Sequence, residues 1–195
     1  MTGWKAWFRA VCLVSGIFFL MTGAASAGDQ DSSQACRQRI GFWAGQAEAF
    51  HGDFEYRFVS FNPYWGIFLT QPGPGYTGAW ELALEGFYHH YNDDFADGRE
   101  IGFAPTIRWH YGFEEFISPY AEFGLGILHT DLDIPDTGTE INFHIHLGLG
   151  LNFRLNEHIY LSTGYRLRHL SNANMSVRNS GIDYHQGILG LSYYY

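Results

Sequence analysis

From residue 40 onward, hydrophobic and polar positions alternate with a period of two. The clearest run is 141–153, where Ile141, Phe143, Ile145, Leu147, Leu149, Leu151 and Phe153 share one face and Asn142, His144, His146, Gly148, Gly150 and Asn152 share the other. Such a run is a long strand with one apolar side. The same alternation sets Trp80, Leu82, Leu84 and Tyr88 against Glu81 and Glu85. It recurs in 101–111 and 120–127. With 40–50, 55–69 (expected to kink at Asn62-Pro63), 159–171 and 182–195, the pattern predicts about eight strands. Turn-forming residues fill the gaps, at 71–75, 92–94, 134–138 and 172–181.

A soluble sandwich also alternates, so the decision rests on what each face carries. One face is a band of Leu, Ile, Phe, Trp and Tyr, and the other holds Gly, Glu, Arg and His. That distribution suits lipid outside and a narrow polar lumen inside. The final strand ends Leu189, Leu191, Tyr193, Tyr195 and resembles the terminal strand of bacterial outer-membrane barrels. The expected fold is all-β, an eight-stranded antiparallel transmembrane β-barrel, with a secreted soluble barrel as the alternative. With both termini in the periplasm, strands seven and eight meet at the outer leaflet.

The first 27 residues differ from the rest. Lys5 and Arg9 form a basic start, 10–21 is mostly apolar, and Ala25-Ser26-Ala27 is a small-residue cleavage site. The domain reading is a signal peptide over 1–27 and a barrel over 28–195. Its removal leaves 168 residues and takes the formal charge from −9 to −11. An acidic chain of this kind lacks the basic face that nucleic acid needs. Cys12 leaves with the signal, so Cys36 has no intrachain disulfide partner. Aromatic residues make up 18% of the chain, yet mean hydropathy is only −0.16. Period-two alternation accounts for both numbers.

Four polar residues break the rule. On 159–171 the apolar face ends in His169 and Ser171, and counting back from Tyr195 puts Asp183 and His185 on the same parity. Polar side chains cost free energy in a lipid-facing band, less so near the interface. Ser171, His169 and Asp183 are the residue types of a nucleophile, a general base and an acid that holds the imidazole tautomer. Residues two apart on a strand lie about 7 Å apart at Cα, so His169 and Ser171 can lean together. An H-x-S match alone is weak, and a polar rim at a loop junction is the plainer reading.

Residues 165–174, YRLRHLSNAN, followed by Asn179-Ser180-Gly181-Ile182-Asp183, resemble the signature of PagL-type lipid A 3-O-deacylases. Weaker matches occur at 102–105 and 119–126. The resemblance implies an outer-membrane barrel that uses a lipid-facing Ser/His/Glu triad, without a metal or other cofactor, to remove the ester-linked acyl chain at the 3-position of lipid A. By position it implies Ser171 as nucleophile, His169 as base and Asp183 in the place of the family's Glu. Asn172 and Asn179 fall where the family has asparagines, as loop braces or oxyanion donors. Asn174 stands where Gly is usual and Arg178 where Pro is common. Lipid A and the surrounding outer-membrane lipids are the implied partners, and a homodimer is left open. The alternatives are a noncatalytic small barrel and a phospholipid esterase.

Other polar residues have quieter readings. His144 and His146 sit on the lumen face and are expected to hydrogen-bond there rather than hold a metal. Glu55, Arg57, Glu81, Glu85, Arg108, Glu122, Arg166 and Arg168 are expected to pair inside, since eight strands leave room only for packed side chains. Asp131, Asp133 and Asp136 are expected to form an acidic solvated loop.

Overall fold

The computed structural model describes residues 37–51, 56–92, 97–132 and 136–195. The expected signal segment, Cys36, Glu55, Asp133 and the tip of the 92–94 turn lie outside them. The described residues form eight strands: β1 (Gln38–His51), β2 (Arg57–Phe68), β3 (Gly78–Asn92), β4 (Asp97–Tyr111), β5 (Ile117–Thr130), β6 (Ile141–Arg154), β7 (Ile159–Ser171) and β8 (Ile182–Tyr194). Each pairs antiparallel with the next, and β1 pairs with β8 to close the barrel. Closure leaves no unpaired edge, which a strand protein in lipid requires. The shortest strand has 12 residues. At about 3.3 Å per residue and the usual tilt, that length crosses a hydrocarbon core.

The two faces are as the alternation predicts. On β6, Ile145, Leu147 and Leu149 are exposed, whereas Asn142, His144, His146 and Asn152 are buried. Charge lies inside and hydrocarbon outside, the inverse of a water-soluble barrel. The outer band is Leu- and Ile-rich at mid-height. Exposed Trp65, Trp80, Trp109, Tyr111, Tyr193 and Tyr195 gather toward the end where β1 begins and β8 finishes. Such a girdle suits the membrane interface, where rings contact hydrocarbon and their polar tips contact water.

The lumen is filled by ion pairs. Arg166 spans Glu85 at 2.6 Å and Glu122 at 2.5 Å. Arg108 reaches Glu85 at 2.9 Å and Glu122 at 2.8 Å, and its guanidinium lies 4.5 Å from the Tyr64 ring centroid. Arg39 pairs with Glu81 at 2.6 Å and Arg168 with Glu100 at 2.7 Å. His146 Nδ1 and His144 Nε2 approach to 3.4 Å within the same interior. The interior is a packed polar plug rather than a channel.

Three expectations need revision. Arg57 is not in the plug: it points outward, 60% exposed, and pairs with Glu48 at 2.8 Å. On β2 the inward parity belongs to Phe58, Ser60, Asn62 and Tyr64, so an odd-numbered neighbour must face out. Pro63 does not shift the strand. The β2–β3 ladder lacks pairs at Asn62 and Pro63 but resumes in the same register, because proline removes a donor without adding a residue. The acids of the 131–136 segment do not act as one group. Asp131 binds Arg99 at 2.9 Å, while Asp136 is buried and accepts from the Tyr56 hydroxyl at 3.3 Å.

Candidate active site

β7 and β8 run side by side without a bulge from Ile159↔Tyr193 to Leu170↔Ile182. An unbroken register preserves parity, so His169 and Asp183 fall directly opposite each other on the outer wall. His169 Nδ1 donates to Asp183 Oδ1 at 2.7 Å, with the side chains 45% and 32% exposed. This contact fixes the tautomer and leaves Nε2 as the basic nitrogen. The pair sits at the barrel end opposite the start of β1 and the finish of β8.

Ser171 is the last residue of β7, on the same face, paired with Phe143 of β6. It is partly exposed, and its hydroxyl makes no hydrogen bond among the described residues. The acid and base are therefore joined in this conformation, while the hydroxyl stands apart at the strand end.

The loop beyond Ser171 is held by its asparagines. Asn172 is buried; its Nδ2 donates to the Thr137 carbonyl and to the Arg178 carbonyl at 2.7 Å. Its backbone N–H donates to Asn179 Oδ1 at 2.9 Å, and Asn179 Nδ2 donates to Asn174 Oδ1 at 2.9 Å. The donors of Asn172 are thus spent on bracing the loop. Met175 N–H returns to the Asn172 carbonyl at 3.1 Å, across Ala173 and Asn174 with φ of 53° and 65°. Two successive positive φ values define a type I′ turn. Asn174 can replace glycine there because asparagine tolerates the left-handed region. In this turn the N–H groups of Ala173 and Asn174 make no hydrogen bond among the described residues.

Sequence reasoning missed Gly181. Its φ is +75°, and a Cβ there would lie 2.8 Å from His169 Cε1 and 3.4 Å from Nε2. The imidazole edge packs on bare backbone, and no larger residue fits without moving it. Its N–H also approaches the Asp136 carbonyl at 3.4 Å, tying the end of the loop to the β5–β6 connection. The sequence motif 179–183 contains this glycine, but a motif position carries no distance to His169. His185 was on the exceptional parity from the start, without an assigned partner. The structure supplies two, Tyr165 and Phe50.

A closed eight-stranded barrel with charge inside and apolar residues outside defines an outer-membrane barrel, and this one carries a His–Asp pair on its lipid-facing wall. The family model for lipid A 3-O-deacylase (PagL) matches residues 51–192, and the chain belongs to that family. It is therefore an outer-membrane protein of a family of hydrolases that act on lipid A. No curated protein matches the chain. Among solved structures, the outer membrane enzyme PagL is similar over 78% of this chain and 97% of its own, with 19% identity and a TM-score of 0.60. Neisserial surface protein A is similar over 80% and 96%, with 10% identity and a TM-score of 0.60. The attachment invasion locus protein Ail of Yersinia pestis is similar over 82% and 99%, with 13% identity and a TM-score of 0.53. At such identities the likenesses establish the shared barrel alone.

Proposed function

We propose that the chain hydrolyses the ester-linked acyl chain at the 3-position of lipid A, with Ser171 as nucleophile, His169 as general base and Asp183 as the acid that holds it. The observation that carries this reading is the 2.7 Å contact between His169 Nδ1 and Asp183 Oδ1 on the outer wall. A buried interior pair would serve stability, but an outward one meets the membrane lipids themselves.

The steps follow from the groups. Ser171 Oγ attacks the acyl carbonyl as His169 Nε2 takes its proton, and Asp183 stabilises the imidazolium. Negative charge develops on the carbonyl oxygen, and the unpaired N–H groups of Ala173 and Asn174 are suited to receive it. Collapse breaks the bond to the sugar oxygen, which leaves with the proton from His169. Water, deprotonated by the same nitrogen, then attacks the acyl-serine; the Ser171 Oγ–acyl bond breaks, Oγ takes the proton back from His169, and the fatty acid is released. All three side chains belong to β7 and β8 of one barrel, so a second copy is not required. The basic start and the Ala25-Ser26-Ala27 site support export as a precursor, with 28–195 forming the mature barrel. Lipid A would approach sideways in the outer leaflet along the apolar wall.

The test is mass spectrometry of lipid A from cells expressing the wild type or Ser171→Ala, both inserted as heat-modifiable barrels. Loss of one ester-linked acyl chain with the wild type and an unchanged profile with Ser171→Ala is the expected outcome. Unchanged lipid A with correctly inserted wild type would point to a noncatalytic barrel. Ser171-dependent release of fatty acid from phospholipid, with lipid A intact, would make it a phospholipid esterase.

A further inference from the structure

The 172–181 loop holds a cation that the proposed steps do not use. Arg178 is exposed, and its guanidinium makes no hydrogen bond or ion pair among the described residues. Each of the other described arginines is engaged, in an ion pair or, for Arg154, with the carbonyls of Glu114 and Asn156. No lysine follows residue 27, so Arg178 is the one uncommitted permanent cation among the described residues. It lies on the loop that follows the nucleophile, at the barrel end that carries His169 and Asp183.

The mount of Arg178 is fixed although its charge is free. Its carbonyl accepts from Asn172 Nδ2 at 2.7 Å, which ties it to the residue beside Ser171. Its N–H donates to Ser176 Oγ at 3.3 Å, and the proton of that hydroxyl has no acceptor among the described residues. Gly138 of the β5–β6 connection, with φ of +58°, seats both side chains: a Cβ there would lie 2.9 Å from Arg178 Cβ and 3.2 Å from Ser176 Oγ. Met175 and Val177, in alternation with these two, are exposed. Exposed apolar side chains beside the outer leaflet suit the acyl layer, and a long cationic side chain among them carries its charge to headgroup height.

The chain is acidic overall, and so is lipid A, whose sugars carry phosphate; approach to Ser171 therefore gains from a local cation. We propose that Arg178 and the Ser176 hydroxyl form a phosphate-binding site for the phosphomonoester on the sugar that carries the scissile ester. A planar guanidinium holds phosphate through two parallel N–H bonds, which orients the group as well as attracting it. Because Asn172 braces both ends of the 172–178 segment, a headgroup anchored at Arg178 presents its neighbouring ester to Ser171. Arg178 stands where proline is common in the family, so the site is a feature of this chain. The inference rests on the esterase reading and adds how the substrate's headgroup is held.

The experiment uses the purified protein in mixed micelles of a neutral detergent, with two acylated glucosamine probes identical except that one carries a phosphate on the sugar and the other a free hydroxyl in its place. The wild type is expected to prefer the phosphorylated probe about tenfold in kcat/KM, through KM, as one exposed charge-assisted contact allows. Added sodium chloride is expected to shrink that preference, because the contact is open to screening. Arg178→Gln keeps a polar side chain and removes the charge. It is expected to raise KM for the phosphorylated probe to that of the plain one, with kcat preserved. Arg178→Lys, which keeps the charge and loses the fork, retains part of the preference, and Ser176→Ala lowers it by less than Arg178→Gln. A wild type that cleaves both probes equally, a preference that survives in Arg178→Gln, or an equal fall in kcat on both probes in that variant overturns the inference and leaves the esterase reading standing. A wild type that cleaves neither probe, or cleavage that persists in Ser171→Ala, overturns both.

Discussion

Asp183 is the residue on which the proposed chemistry turns. Its oxygen meets the imidazole across one cross-strand pair, so an acid shorter than the family's Glu reaches His169 Nδ1. Asp183→Asn would present an amide to Nδ1 and allow the wrong tautomer; deacylation is expected to fall by about 10³–10⁴-fold while the barrel stays folded. Asp183→Glu keeps the charge and is expected to retain most activity. Equal loss in both, measured as lipid A remaining by mass spectrometry, would show that the 2.7 Å geometry does not tolerate the longer acid. Gly181→Ala tests the base from its other side. Left-handed backbone costs a residue with a Cβ about 1–2 kcal/mol, and the new methyl would displace the His169 ring. The expected result is a drop in kcat with near-normal insertion. Of these two positions, Asp183 was legible from parity, whereas the importance of Gly181 depends on a distance that no spacing rule supplies.

At the level of elements, the site is a strand pair finished by a braced loop. The ladder from Leu167↔His185 to Leu170↔Ile182 places the outward side chains, and Asn172 links the 172–181 loop to the carbonyl of Thr137 in the β5–β6 connection. Asn172→Ala would remove the donors that satisfy two carbonyls, at a cost of about 1–3 kcal/mol. Proteolysis within 173–180, where Met175 and Val177 are exposed, is expected to accelerate, and activity to fall with it. Cleavage no faster than in the wild type would show that other contacts hold the loop. The strands themselves were readable because a period of two survives in any register. The loop was not, since the hydrogen bonds that tie it to the β5–β6 connection join residues more than 30 positions apart.

For the whole molecule, stability and function lie on opposite sides of one wall. Glu85 is buried between Arg108 and Arg166, and removing it leaves two buried cations to share Glu122. Glu85→Ala is expected to destabilise the barrel by about 3–5 kcal/mol, read as an earlier urea midpoint of tryptophan fluorescence. Glu48→Gln breaks the exposed Arg57 pair at the rim and should cost less than about 1 kcal/mol. Equal shifts for the two would contradict the polar plug as the source of that difference. Activity is expected to stay near normal in Glu85→Ala where the barrel remains folded, because neither Glu85 nor its arginines reach the outer wall.

The sequence by itself determined the strand number, the inside and outside of the wall, and the outward parity of His169, Ser171, Asp183 and His185. Alternation is local, and lipid outside with a polar lumen inside leaves each strand one way to face. Tertiary structure decided which of those polar residues meet. The unbroken β7–β8 register joins His169 to Asp183, the bulge in β1 brings Phe50 onto His185, and the loop brace consumes the donors of Asn172. It also moved Arg57 from the expected plug to the rim. These outcomes depend on cross-strand register and on contacts distant in sequence, and neither is encoded in the period of a single strand.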